Sequence, residues 1–511
     1  MTVGERLIKR PVERQRISFW PRQHSLFIVG IAALVIISLV AIPLDLTQDG
    51  WLALVAGRDI AAHGLPSHDY FTQLAYGVRW VDQQWLAQLL MYELTRVGGL
   101  QLLGVIYVLV SSAGFALALG AARTLNAEDL DVLTVLPAGV LLYVITAVSI
   151  RTQGFAYPLF VLTLWLFAAE TLGRTRRRRV YWVFPVLVLW ANLHGSVTLG
   201  AGLACLYGLG LLAGGVRERG LSGLRDARGW LFVILAPLTP LATPYGTGMI
   251  HYYRVTLDNP EFSKLVTEWK PVTSVPLVAF VLLAVCAALA GVAVLGLIRG
   301  RRARGRQAPV YHVLVLVILA AASVMAVRNI VWFGLALVVL APALLTRLRG
   351  GEPAPLRKSA LNQRLALVAA VAAVAMVALV LTRPQSWFES SYPTRSVPLL
   401  TRLMARYPGS AMFADVRYAD WLIWDDPAVF SAHVAYDTSF ELLSVSDLRR
   451  ISVLGDRGRA RAAALLDAYP VWMLNPVNKA SDRRLLRRPG VRVVERSRKA
   501  LIVLNTSWKP R

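Results

Sequence analysis

The sequence predicts an all-α polytopic membrane bundle of about 11 transmembrane helices, with interfacial helices in a first external loop and a C-terminal extracytoplasmic α/β domain. Three observations carry that prediction. Hydrophobic residues make up 56% of the 511 positions and charged residues only 17%. The apolar residues gather into runs of roughly 17 to 23, the length a helix needs to cross a bilayer, instead of recurring at amphipathic spacing. Lysine and arginine crowd into alternate connections, and the long apolar runs stop after residue 382.

In chain order, residues 1–24 form a basic N-terminus and residues 25–382 the membrane domain. Spans are expected at 25–45, 100–122, 132–150, 154–172, 180–195, 197–215, 230–245, 275–298, 310–327, 330–347 and 365–382. Pro237, Pro240 and Pro244 are placed to break the seventh. The N-terminus and the loops near Arg123, Arg174 to Arg179, Arg217 to Arg228, Arg299 to Arg306 and Arg347 to Arg364 hold about 26 basic residues, against about 8 in the opposite loops. Short basic loops stay on the cytoplasmic side, which puts the N-terminus inside a bacterial cytoplasmic membrane and the C-terminus outside. The first apolar run lacks a cleavage pattern and reads as a retained helix.

The net charge of +25 is accounted for by this topology, so nucleic acid is not an expected partner. Anionic membrane lipids suit the RTRRRR run at 174–179. Cys205 and Cys286 both fall within spans and make neither a disulfide framework nor a zinc site.

The loop from Asp45 to Gly99 is about 55 residues long, far more than two neighbouring helices need. Within it Trp51, Leu54, Val55 and Arg58 recur at helical spacing, predicting an interfacial helix anchored by Trp51 and stopped by Gly64 and Pro66. A second is expected from Gln83 to Arg96, so that the two flank the Ser67-His68-Asp69-Tyr70 turn. A carboxylate near the hydrocarbon boundary is costly to desolvate, and a raised pKa suits it to accept a proton from a hydroxyl. Asp49 is the first choice for that base and Asp69 the second; Asp49 also reads as a helix N-cap and Asp69 as a turn residue.

Further polar residues collect at the outer ends of spans: Arg151 and Gln153, Asn192 and His194 in WANLHG, Glu268 in TEWKP, and Arg328 with Asn329. Together with Arg58 and His68 they are expected to bind substrate, the arginines clamping a phosphate. No HExxH, CxxC pair, P-loop or nucleotide-binding GxGxxG is present, so soluble nucleotide-sugar chemistry has no seat.

After Pro384, Pro393 and Pro398, residues 383–511 alternate short β-prone pieces at 411–414, 429–434, 471–474, 491–494 and 501–504 with helical ones near 396–407, 417–424, 445–453, 458–468 and 480–487. Asp415 and Asp437 end two of these pieces and are either site residues or capping aspartates.

The segment DGWLALVAGRDIAAHGLPSHDYF, from Asp49 to Phe71, together with RTQGF, WANLHGS and VRNIVWF, resembles bacterial relatives of the GT-C superfamily, polytopic glycosyltransferases of the oligosaccharyltransferase and mannosyltransferase kind. The resemblance implies transfer of a sugar from a polyprenyl-phosphate-linked donor to an envelope glycan, lipid or protein acceptor outside the membrane. It implies that the catalytic acid falls on Asp49 and, second, Asp69. Members with a paired acidic dipeptide differ, since Gly50 follows Asp49 here. The reading is a hexosyl or pentosyl transfer by single displacement, with Arg58, Arg151 or Arg328, or a divalent cation such as Mg or Mn, neutralising the phosphate that leaves. The other reading is a lipid-linked glycan transporter or non-catalytic assembly subunit.

Overall fold

The computed structural model describes residues 45–257, 259, 261, 265–300, 309–349, 359–456, 463–476 and 479–510. Counting helices of eight residues or more, α1 is Gln48–His63, α2 Trp85–Thr124, α3 Asp129–Ala147, α4 Ala156–Thr171, α5 Val183–Leu193, α6 Val197–Arg219, α7 Ala227–Leu235, α8 Gly248–Leu257, α9 Pro276–Gly300, α10 Val310–Met325, α11 Ile330–Arg349 and α12 Ser359–Leu381. The C-terminal region adds α13 Val397–Met404, α14 Val416–Asp425, α15 Val445–Asp456 and α16 Lys479–Leu486. The expected span 25–45 lies outside the described residues but for Asp45, as does the basic segment before it.

Five helical stretches among the described residues are long and apolar enough to cross a membrane, at Trp85–Thr124, Leu130–Ala147, Thr152–Thr171, Val197–Arg225 and Val327–Arg349, and the protein is a multi-pass membrane protein. Four further apolar helices are shorter. The expected seventh span is broken: α7 ends at Leu235 and a 3-10 turn, Ala236–Leu241, takes over where Pro237 and Pro240 remove backbone donors. The fifth is curtailed by a 3-10 turn at Arg177–Trp182, leaving α5 with 11 residues. In α2 the pair Gly98–Gly99 is non-helical, and Gly99 takes φ 67, a conformation other residues resist. The helix therefore turns between its first part and its long apolar part, close to the predicted boundary at Arg96.

The bundle core packs α2, α3, α4 and α11 about a chain of rings, with Tyr157 edge-on to Trp332 at 5.5 Å and Phe160 against Trp332 at 5.1 Å. At one end, polar side chains tie the helices together. Asp131 pairs with Arg349 and accepts from Thr346 at 2.7 Å. Arg228 pairs with Glu170 at 2.8 Å and lies over Tyr207. The arginine run 174–179 follows α4 at this same end.

The C-terminal sheet has the order β1-β2-β4-β3, from β1 Phe413–Ala414, β2 Val471–Leu474, β3 Val491–Arg496 and β4 Leu501–Asn505. β1 runs parallel to β2, and β4 is antiparallel to both neighbours. The predicted strand at 429–434 is instead a helical turn at Pro427–Phe430, beyond which Val434 bridges both Met412 and Thr72. Residues 71–74 of the early loop thus extend the sheet edge: Ala432 donates to the Phe71 carbonyl (2.8 Å), and Gln73 and Leu74 to those of Val434 (2.8 Å) and Ala435 (3.0 Å).

The expected membrane anchor Trp51 is fully buried, edge-on to Tyr392 at 5.6 Å and against Trp424. α1 packs along α14, so its apolar face meets protein where the sequence pattern suggested lipid.

Candidate functional site

The chain enters α1 through a two-residue parallel pairing in which Asp45 lies opposite Ser149 and Leu46 opposite Ile150. This pairing sets the first turn of α1 beside Arg151. A Cβ on Gly50 would collide with the Ile150 carbonyl oxygen, so an acidic residue after Asp49 is sterically excluded at this crossing. Thr47 occupies the N-cap position without a side-chain cap bond, and Asp49 stands one residue inside the helix. Its carboxylate is free of capping duty.

Asp49 approaches Arg151 at 3.8 Å, and Arg151 makes a direct charge-assisted bond to Glu268. One buried guanidinium thus holds two carboxylates, its own side chain 8% exposed against 54% for Asp49 and 37% for Glu268. The carboxylates line an open recess with protein crowded around it. That desolvation, and then the negative charge of Glu268, raise the Asp49 pKa above its usual range, while Arg151 and Arg328 pull against the rise. For Glu268 burial also works against the charge, but Arg151 outweighs it and holds the group below its ordinary value.

Arg328 closes the recess from the turn before α11. It stacks over Trp269 at 4.3 Å, and no carboxylate among the described residues lies within ion-pair distance of it. His194, between α5 and α6, accepts at Nδ1 from the Ser196 backbone N–H (3.1 Å) and lies within electrostatic reach of both arginines. Four predicted positions from distant parts of the chain, Asp49, Arg151, Glu268 and Arg328, therefore converge, with His194 beside them. Gln153 is buried in the 3-10 turn that follows Arg151.

Other predicted positions are placed elsewhere. Arg58 donates to the carbonyls of Ile423 (2.8 Å) and Trp424 (3.1 Å) and stacks on Trp424, fastening α1 to α14. His68 is exposed and bonded to Ser67 Oγ at 2.9 Å. Asn192 brackets helix ends, accepting from Trp85 Nε1 (2.9 Å) and donating to Val188 and Ala242 carbonyls. Asn329 donates to the Ala322 carbonyl (2.9 Å). Asp69 is buried and accepts from Phe71 N, Thr72 N and Thr72 Oγ1; its charged neighbour is Asp437, whereas those of Asp49 are Glu268, Arg151 and Arg328. Asp415 caps α14 through Arg417 N.

Sequence reasoning did not single out Glu441 or Asp82. Glu441, half-buried in the 3-10 turn Phe440–Leu442 against α8, feels Asp437, Asp82 and Asp49; burial pushes its pKa up to about 8. Asp82 is 2% exposed and raised by burial to about 7. Nothing in the local pattern marks Glu441, because its place depends on the docking of the C-terminal region onto α8.

As a metal site the donors do not fit. Among the described residues no three of His, Cys, Asp and Glu gather closely enough to hold an ion, and Arg151 occupies the position between Asp49 and Glu268.

No family model matches the chain, and no curated protein matches it. Among solved structures, ArnT from Cupriavidus metallidurans bound to undecaprenyl phosphate is similar over 95% of this chain and 99% of its own, at 13% identity and a TM-score of 0.48. The apo state of the same protein is similar over 95% and 98%, at 14% identity and a TM-score of 0.48.

Proposed function

We propose that this protein is an integral membrane glycosyltransferase that moves a sugar from a polyprenyl-phosphate-linked donor to an extracytoplasmic acceptor. The observation that carries the reading is the Asp49–Arg151–Glu268 arrangement, an accessible carboxylate of raised pKa at the margin of an apolar bundle, with the uncommitted Arg328 beside it. Asp49 accepts the proton of the acceptor hydroxyl as its oxygen attacks the anomeric carbon. The bond from that carbon to the lipid-phosphate oxygen breaks, and the phosphate departs as an anion. Of the three arginines the sequence offered for that anion, Arg58 is committed to two carbonyls and Arg151 to two carboxylates. Arg328 is the cation left to receive it.

Arg151 orients the base and keeps Glu268 ionised, and the bundle provides an apolar wall for the polyprenyl chain. The acceptor is an envelope glycan, lipid or protein.

The test incubates protein in lipid nanodiscs with polyprenyl-phosphate hexoses and pentoses and measures release of the lipid phosphate. Asp49→Asn is expected to lower turnover by about 10²- to 10⁴-fold, with a far smaller effect for Asp69→Asn. Equal turnover of parent and Asp49→Asn rejects the base assignment, and no release from any donor rejects the enzyme reading.

A further inference from the structure

Asp69, Asp420 and Asp437 are 1%, 1% and 3% exposed, and they meet where residues 69–74 join the C-terminal sheet. Asp69 belongs to the early loop and caps the turn that leads into the bridging segment, through Phe71 N (3.2 Å), Thr72 N (3.4 Å) and Thr72 Oγ1 (3.1 Å). Asp437 follows Val434–Ala435, the segment that the loop bridges to, and accepts from Ser439 N (2.8 Å), and Asp420, on α14, accepts from Thr438 Oγ1 (2.6 Å). One oxygen of Asp420 and one of Asp437 are buried without any hydrogen-bond partner. The other charged groups facing the cluster are acidic too, Asp49 from α1 and Glu441 from the turn after Asp437, with Asp82 of the loop beyond Glu441. Among the described residues no lysine, arginine or histidine lies within ion-pair distance of any of the three.

Three buried carboxyls with no counter-cation cannot all be ionised while the seam stays closed. Neither do they form a metal-holding group.

We propose that these aspartates form a proton-operated clasp, closing the early loop onto the C-terminal domain when protonated and releasing it when they ionise. The loop continues into Asp82, Gln83 and Gln84, and Gln84 Oε1 accepts from Thr152 Oγ1 (2.5 Å) next to Arg151, so release loosens a segment held beside the recess.

The direction follows from linkage. Burial, then the charge of Asp437, lifts Asp69 to about 7; burial lifts Asp437 to about 6; burial and Asp437 lift Asp420. In the open loop these groups ionise near the ordinary value of about 4. Closure is therefore fully favoured below about pH 4 and is lost progressively as pH rises to about 7, each proton taken up on closing changing the open-to-closed ratio about tenfold per pH unit.

The test is amide hydrogen exchange of the full chain in nanodiscs from pH 5 to 8, scaled for intrinsic base catalysis. It follows Gln73, Leu74 and Ala432, whose N–H groups bridge the seam. Protection in the parent is expected to fall at least tenfold between pH 5 and 7.5, and Asp437→Asn, with one titrating group fewer, should flatten that fall. Asp420→Asn serves the same purpose if the first variant does not fold, with α11 amides reporting integrity. Protection independent of pH in the parent overturns the clasp, as does a parent-like fall in both variants. Loss of protection at pH 5 on adding EDTA also overturns it, since a bound cation would then be holding the seam.

Discussion

At the residue scale the recess is an exercise in sharing one cation. Arg151 serves Asp49 and Glu268 together, so its removal frees two carboxylates in a crowded place. Arg151→Gln is expected to raise the Asp49 pKa further, because burial and Glu268 remain while an opposing charge is gone. A base works when deprotonated, so the acid limb of kcat/KM against pH should move to higher pH in the variant; an unmoved limb would separate Asp49 from the titration. In the proposed reaction Arg328 has a different task. Arg328→Ala should lower kcat by about 10²- to 10³-fold, with Arg328→Lys recovering part of it through charge without the planar fork. That Arg151, Glu268, Arg328 and His194 lie together was legible in the sequence because polar groups at the ends of apolar runs are expensive unless they share a polar place. Glu441 was not, since its surroundings are assembled from segments hundreds of positions apart.

At the scale of elements, small residues decide how closely segments approach. Gly50 lets α1 pass against Ile150, and Gly50→Ala should cost about 1–3 kcal/mol by overpacking against a backbone oxygen that cannot yield. Thermal unfolding in detergent would register it, and an unchanged midpoint would place the close approach elsewhere. The long apolar helices, and the break in α2 between an interfacial stretch ending near Arg96 and the apolar run from residue 100, were readable because run length is a local signal. The fate of α1 was not. Its amphipathic pattern specifies a buried face but not what buries it, and α14 takes the place assigned to the bilayer. Four of the five β-prone pieces near the C-terminus became strands, while 429–434 was displaced by Pro427 opening a helical turn.

At the scale of the molecule, polar chemistry sits at two opposite ends of the bundle. Asp131–Arg349 and Glu170–Arg228 mark the end that carries the arginine run 174–179, and the Asp49 recess marks the other. From the charge asymmetry of the loops we propose that the arginine end faces the cytoplasm. With Cys205 and Cys286 replaced by serine, a membrane-impermeant maleimide should label Arg406→Cys but not Arg177→Cys in intact cells, where only the external medium is accessible. The reverse pattern would invert the topology and place the recess inside.

The bond from Arg58 to the Ile423 carbonyl joins positions 365 residues apart, and the pairing of Thr72 with Val434 spans a similar stretch. During synthesis at about 5–20 residues per second, the early loop therefore waits on the order of 20 to 70 s for its partner to be translated. Through that interval the apolar side of α1 rests on α2, but Trp51 lacks its later partners Tyr392 and Trp424. Maturation of the recess is thus a post-insertion event, and a nascent chain stalled before residue 410 should leave that helix open to protease and to holdase capture, whereas the released full-length protein should not.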